Sequence, residues 1–242
     1  MENKNAPLIE TRDLAKVYLR KSSPPIKALD GINLKIFAGE FLAIVGRSGS
    51  GKTTLLNLIG ALDRPTSGNV IFEGRNLGDF SDRDLGLLRR QKVGFIFQTF
   101  NLLPALTVSE NIEVALIHSR MAKEEMTKKT ATLLNLFDLA DKSNQLPLEL
   151  SVGQQQKVAI ARALANDPAL ILADEPTGEM DPITGEDIVA KLAELNRKAK
   201  VTVVVASHGT YPYSQADRTL FIKDGQIVSQ KEAGYYNRIQ NL

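Results

Sequence analysis

The sequence predicts an α/β fold with a mostly parallel sheet, a small N-terminal antiparallel sheet and a helical insertion. Four runs, "FLAIV" (41–45), "VGFIF" (93–97), "ALILA" (169–173) and "VTVVVA" (201–206), are apolar throughout instead of alternating, the pattern of strands buried on both faces. Helical periods at 52–62, 107–118, 124–138, 151–166 and 183–199 lie among them, and strands alternating with helices build a parallel sheet. Residues 8–40 carry short half-polar segments, "LIETRDLAKVYL" and "LDGINLKIF", which suit a smaller antiparallel sheet.

Within that N-terminal part, "YLRKSSPPIKAL" (18–29) holds two prolines and two serines, marking an exposed loop between strands. The region 99–150 has helical periods and no convincing strand, so a helical insertion is expected over about 99–156. "FIKDGQIVSQ" (221–230) reads as a hairpin turning at Asp-Gly, and "KEAGYYNRIQNL" (231–242) as an amphiphilic tail. At 242 residues the chain is expected to be one subdivided domain over 1–242.

Charge names no partner. The 30 Lys and Arg nearly balance 28 Asp and Glu, leaving +2 without a basic block, so no nucleic acid is expected. The absence of cysteine excludes disulfides and thiolate metal sites. The start "MENKNAPLIETRDL" lacks the sections of a signal peptide, and no window approaches 18 uninterrupted apolar residues. A soluble chain is expected.

The strongest motif is "FLAIVGRSGSGKTTLLNLIGAL", which places Gly46, Gly51, Lys52 and Thr53 at G-x-x-x-x-G-K-[ST] spacing between a buried strand and a helix. That makes the expected core a P-loop NTPase. Gly46, Gly49 and Gly51 let the amides of the loop turn inward, with Arg47, Ser48, Ser50 and Thr54 completing the cradle around the phosphates. Lys52 reaches the terminal phosphates and the Thr53 hydroxyl is placed to ligate Mg²⁺. "ALILADE" (169–175) ends a buried strand in two carboxylates, and neighbouring strand residues face opposite ways. Asp174 is therefore assigned to Mg²⁺ through water and Glu175 to orienting and polarising the attacking water.

"LSVGQQQKVAIARAL" (150–164) has a polar start on an alanine-rich helix. Ser151 and Gln154 form the S-x-x-Q capping box, and the free amides of such a helix start attract phosphate. Lys157 and Arg162, further along, suit surface or intrachain pairing. Asp181 before Pro182 has the makings of a helix cap, a role compatible with a further one. His118 is read as structural.

With the phosphate loop on one side and Asp174-Glu175 on the other, "LSVGQ" completes a set that resembles the nucleotide-binding subunit of an ABC transporter over about residues 8–230. The resemblance implies that Ser151, Val152, Gly153 and Gln154 cover the γ-phosphate held by a second copy of the chain, so that two ATP molecules glue two copies together. It also implies that Tyr18 stacks on adenine and that Gln98 in "FIFQTF" senses Mg²⁺ and the attacking water and contacts the membrane partner. Asp181 in "GEMD" would reach across the dimer, and His208 in "VASHG" would contact the γ-phosphate.

The implied cofactors are ATP and Mg²⁺, and the implied partners are a second copy and a separate transmembrane permease, at the cytoplasmic side of the inner membrane. "FQTFNLLPALTVSENIEVAL" and "LIGALDRPTSGNVIFEG" look most like the branch whose partners release lipoproteins, export macrolides or regulate cell-wall hydrolysis. Phe100, Leu102, Leu103 and Leu106 would then line the groove for that partner. The rival function is a soluble ABC-type ATPase acting on DNA or ribosomes, but the chain has neither long coiled coils nor a second cassette. A monomeric kinase would share the phosphate loop and have no use for "LSVGQ". The sequence departs from the family pattern in three places: Val152 in place of a common glycine, Glu179-Met180 before Asp181, and Gly209 after His208.

Overall fold

The computed structural model describes residues 6–21, 23–208 and 214–234. Strands β1 (Pro7–Tyr18) and β2 (Ile26–Phe37) pair antiparallel on either side of the proline-bearing loop. Then come β3 (Phe41–Val45), α1 (Lys52–Ile59), β4 (Ser67–Phe72), β5 (Arg75–Asn76), α2 (Asp82–Lys92) and β6 (Val93–Ile96). Helices α3 (Val108–Leu116), α4 (Lys123–Leu136) and α5 (Val152–Leu164) follow. The chain then passes through β7 (Leu170–Asp174), α6 (Pro182–Ala199), β8 (Thr202–Ser207), β9 (Arg218–Lys223) and β10 (Gln226–Val228).

The larger sheet has the order β10-β9-β3-β8-β7-β6, parallel except for the β9–β10 hairpin. That hairpin turns at Asp224 and Gly225, both at positive φ, as an Asp-Gly turn between twisted strands requires. Its four apolar runs are explained by two cores. Phe41, Ile171, Val203 and Val205 face one core with α3, α5 and α6, while the alternate residues Leu42, Leu170, Leu172 and Val204 face the other with α1 and the smaller sheet.

The smaller sheet is larger than expected, with the order β2-β1-β4-β5, because residues 67–76 join the N-terminal strands. Only Val70 and Phe72 of β4 are buried, too weak a period to stand out. Helix α2 also escaped the periodicity, since Leu85 is its one fully buried residue. Its signals are local: Ser81 caps it, Asp82 and Asp84 occupy the first turn, and Arg89, Arg90 and Lys92 the last, each sign matching the helix dipole.

Segment 99–107 is held onto α3 by one buried side chain. The Asn111 amide donates to the carbonyls of Leu103, Leu106 and Thr107 at 3.1, 2.9 and 3.0 Å and accepts from the Leu103 amide at 2.8 Å. Asn111→Ala leaves the Leu103 amide and the Leu106 carbonyl without their partner, and the expected loss is about 2 kcal/mol of stability, measured by urea unfolding. A change below about 0.5 kcal/mol, the range of ordinary surface substitutions, would show that the segment is held by other means.

Strand order positions the site. β3 lies beside β8 and β8 beside β7, with Val45 opposite Ser207 and Asp174 opposite Ala206. The loops after β3, β7 and β6 and the end of β8, with His208, therefore meet at one edge, the usual ligand crevice of open α/β sheets.

Candidate functional site

The loop between β3 and α1 is shaped by glycine where nothing else fits. A Cβ on Gly46 would lie 2.4 Å from the Ile222 carbonyl oxygen, and Gly51 has φ +108° with a would-be Cβ 2.5 Å from the Ala28 carbonyl oxygen. Gly51 gives α1 no side-chain cap, and no acidic residue stands in its first turn. The first amides of α1 are thus left to an anion. Lys52 is 4% exposed and folds back, donating from Nζ to the carbonyls of Gly46 at 2.9 Å and Arg47 at 3.2 Å.

This loop forms one wall of an open cleft of about 940 Å³ that also holds Tyr18, Gln98, Asp174, Glu175 and His208. Arg47, Ser48, Gly49, Thr53 and Thr54 line it too. Gly46 and Ser50 sit buried behind it. The Tyr18 hydroxyl donates to Asp63 at 3.0 Å, and Lys16 Nζ stands 4.9 Å from the centre of its ring. Sequence reasoning did not single out Asp63 or Lys16, which together orient the ring.

Asp174 is the last residue of β7. The Thr53 hydroxyl hydrogen-bonds its side chain, and its Oδ1 is buried with no partner among the described residues. Burial, opposed by the Thr53 bond, holds this carboxyl above its ordinary range; the charge of Glu175 adds to the effect and Lys52 works against it. A divalent cation would reverse that balance. A hydroxyl, a carboxylate with an unpartnered oxygen and the Gln98 amide are hard oxygen donors of the kind Mg²⁺ takes, with water and phosphate filling the remainder. These residues fit Mg²⁺.

Strand alternation alone does not place Glu175. Its φ of +48° turns the chain out of β7, so both carboxylates line the same cleft. A left-handed non-glycine residue costs about 1–2 kcal/mol, and here the turn aims the side chain between Lys52 and His208. Glu175 Oε1 lies 3.5 Å from Lys52 Nζ, and Oε2 lies 2.8 Å from His208 Nδ1. The Gln98 amide donates from Nε2 to Glu179 Oε1 at 3.0 Å.

The second group of sequence-derived residues lies off this cleft. Ser151 caps α5 in the expected box: its Oγ accepts from the Gln154 amide at 3.3 Å, and its own amide donates to Gln154 Oε1 at 2.9 Å. Asp181 caps α6 through the Thr184 amide at 3.1 Å. The two helix starts lie side by side, since a Cβ on Gly153 would come within 2.7 Å of Thr184 Cγ2. Both starts are exposed, with Val152 at 42% and Ile183 at 75%.

Further down α5, Gln156 is fully buried and donates to the Pro176 carbonyl at 2.7 Å. Arg162 donates to the Phe100 and Asn101 carbonyls at 2.7 and 2.6 Å, the intrachain pairing expected of it. Phe100 and Asn101 both have positive φ. Asn101 of this turn lines a neighbouring groove of about 470 Å³ together with Phe95, Phe97, Val114, His118 and Arg162 among others. Phe100, Leu102, Leu103 and Leu106 are not among its walls, and Leu102 packs on the core. His118 is exposed on that groove. Gly209 lies outside the described residues, as does 235–242 of the tail.

Comparison with known proteins agrees with this geometry. The ABC transporter family profile matches residues 29–178. The chain is 44% identical over 223 residues to a macrolide export ATP-binding/permease protein of Hyphomonas neptunium, spanning 92% of this chain and 34% of that protein's length. It is 43% identical over 227 residues to an uncharacterised ABC transporter ATP-binding protein of Thermotoga maritima, covering 94% and 96% of the two. Among solved structures it is similar to the dimeric cassette MJ0796 of Methanocaldococcus jannaschii, with a TM-score of 0.85, 44% identity and 91% and 97% of the chains covered. A post-hydrolysis dimer of that cassette with ADP and phosphate gives a TM-score of 0.84 at 43% identity. From the phosphate loop, the carboxylate pair and these matches together, the chain belongs to the ABC transporter family and is an ATP-binding cassette.

Proposed function

We propose that the chain is an ATPase subunit that closes with a second copy of itself around two ATP molecules and drives a separate transmembrane permease. The observation that carries this reading is the split of the site. The cleft holds the cradle, the carboxylates and His208, whereas the capped starts of α5 and α6 stand exposed outside it. A helix start with free amides and nothing to bind on its own chain is suited to the γ-phosphate of another.

In this reading Tyr18 stacks on adenine and the loop amides from Gly46 to Thr54 enclose the phosphates. Lys52 exchanges its carbonyl partners for phosphate oxygens. Thr53, Asp174 through water, and Gln98 would hold Mg²⁺, which when bound would supply positive charge against the negative charge developing on the phosphates. Glu175, released from Lys52 as phosphate arrives, orients and polarises the attacking water, and His208 contacts the γ-phosphate. Ser151, Val152, Gly153, Gln154 and Asp181 complete the site from the second copy.

The work so powered is export of a lipid, lipoprotein or drug, or transmission of motion across the envelope, with the chain on the cytoplasmic side of the inner membrane. No helix among the described residues is long and apolar enough to cross a membrane. Tagged chain purified from membranes in mild detergent should bring with it a membrane-spanning protein. Repeated recovery of ribosomes or DNA in its place would favour the soluble alternative.

A further inference from the structure

Glu179 is one of the positions that depart from the family pattern, and it makes a specific contact. Its Oε1 accepts from Gln98 Nε2 at 3.0 Å, joining the turn after β7 to the loop after β6, 81 residues apart in sequence. The two ends of a carboxamide are nearly identical in shape, so shape alone does not orient one. A carboxylate offers only acceptors. Glu179 therefore fixes which end of the Gln98 amide faces it: the NH₂ end is taken, and the oxygen is the end left for the cleft that Gln98 shares with Thr53, Asp174 and Glu175. Gly178 keeps the approach close, since a Cβ there would lie 3.0 Å from Nε2 and 3.3 Å from Cδ of Gln98.

We propose that Glu179 is a positioning residue that holds the Gln98 amide with its oxygen available to Mg²⁺. Through it, the segment carrying Asp181, two residues further on, is tied to the metal site. Glu179 acts in this way only if Gln98 ligates Mg²⁺ as proposed above. Glu179→Gln keeps the side chain's size but presents both a donor and an acceptor, so the Gln98 amide is free to turn over. Partners of metal ligands of this kind change metal affinity by about tenfold or more when removed.

The test is Mn²⁺ affinity of the full chain loaded with a non-hydrolysable ATP analogue, read from the electron paramagnetic resonance of free Mn²⁺. Wild type, Glu179→Gln, Gln98→Ala and the double variant are compared, with circular dichroism confirming that each is folded. The expected result is an affinity about tenfold weaker for Glu179→Gln, with no further weakening when it is added to Gln98→Ala. Loss of a negative charge near the cation would act equally in both backgrounds, so equal weakening overturns the proposal. Wild-type affinity in Glu179→Gln overturns it as well. Wild-type affinity in Gln98→Ala removes the reading of Gln98 as a ligand, and the role of Glu179 falls with it.

Discussion

Glu175→Gln should lower ATP turnover by about 10³-fold, in the range for loss of a positioned general base, and should leave an ATP-loaded pair of chains that persists long enough for light scattering to detect. Glu175 is the carboxylate that stands between Lys52 at 3.5 Å and His208 at 2.8 Å. Glutamine matches it in shape but has no basic oxygen for the proton of the attacking water. The substitution also frees Lys52 from a counter-ion, so ATP binding is retained. With binding intact and chemistry stopped, the closed state accumulates. Only monomers in the presence of ATP would count against both the role of Glu175 and the closing of two copies.

Ser151→Arg should abolish turnover while sparing nucleotide binding. Ser151 is exposed and lies outside the cleft where ATP is expected to sit, so a change there leaves the cradle untouched. Arginine puts a long side chain over the free amides of α5, where the second chain's phosphate is expected to approach. It also removes the cap on Gln154, which costs about 1 kcal/mol. Ser151→Ala removes the cap without adding bulk and serves as the control. Turnover by Ser151→Arg at the wild-type rate, with equilibrium binding of ATP unchanged, would rule out a role across the dimer.

Much of the architecture was legible because its physics is local. "FLAIV" and "VTVVVA" must be buried on both faces, and neighbouring residues within them face different cores, Phe41, Val203 and Val205 one and Leu42, Ile44 and Val204 the other. The phosphate loop was legible for the same reason, since its glycines and Lys52 lie within eight residues. The remainder depends on contacts distant in sequence or on weak periods. β4 hides because only two of its residues are buried. The position of Glu175 follows from a backbone angle rather than from strand alternation, and the partners of Tyr18 and Gln98 come from Asp63 and Glu179, 45 and 81 positions away. Within "SVGQ", the structure separates the two middle residues. Gly153 is required by the closeness of α6, whereas Val152 faces outward, and nothing in the single chain explains the choice of valine.

Helix α5 has 13 residues and so is roughly 20 Å long, a stiff rod at 1.5 Å per residue. Its start at Ser151 is exposed, and it is fastened at two heights further along: Gln156 grips the Pro176 carbonyl next to Glu175, and Arg162 grips the turn that follows Gln98. A rod fastened in this way cannot be pushed at its exposed end without loading both fastenings. Pressure on Ser151 from a second copy, as proposed above, would therefore load the turn that follows Glu175 and the turn that follows Gln98 in one stroke, with α5 acting as a lever.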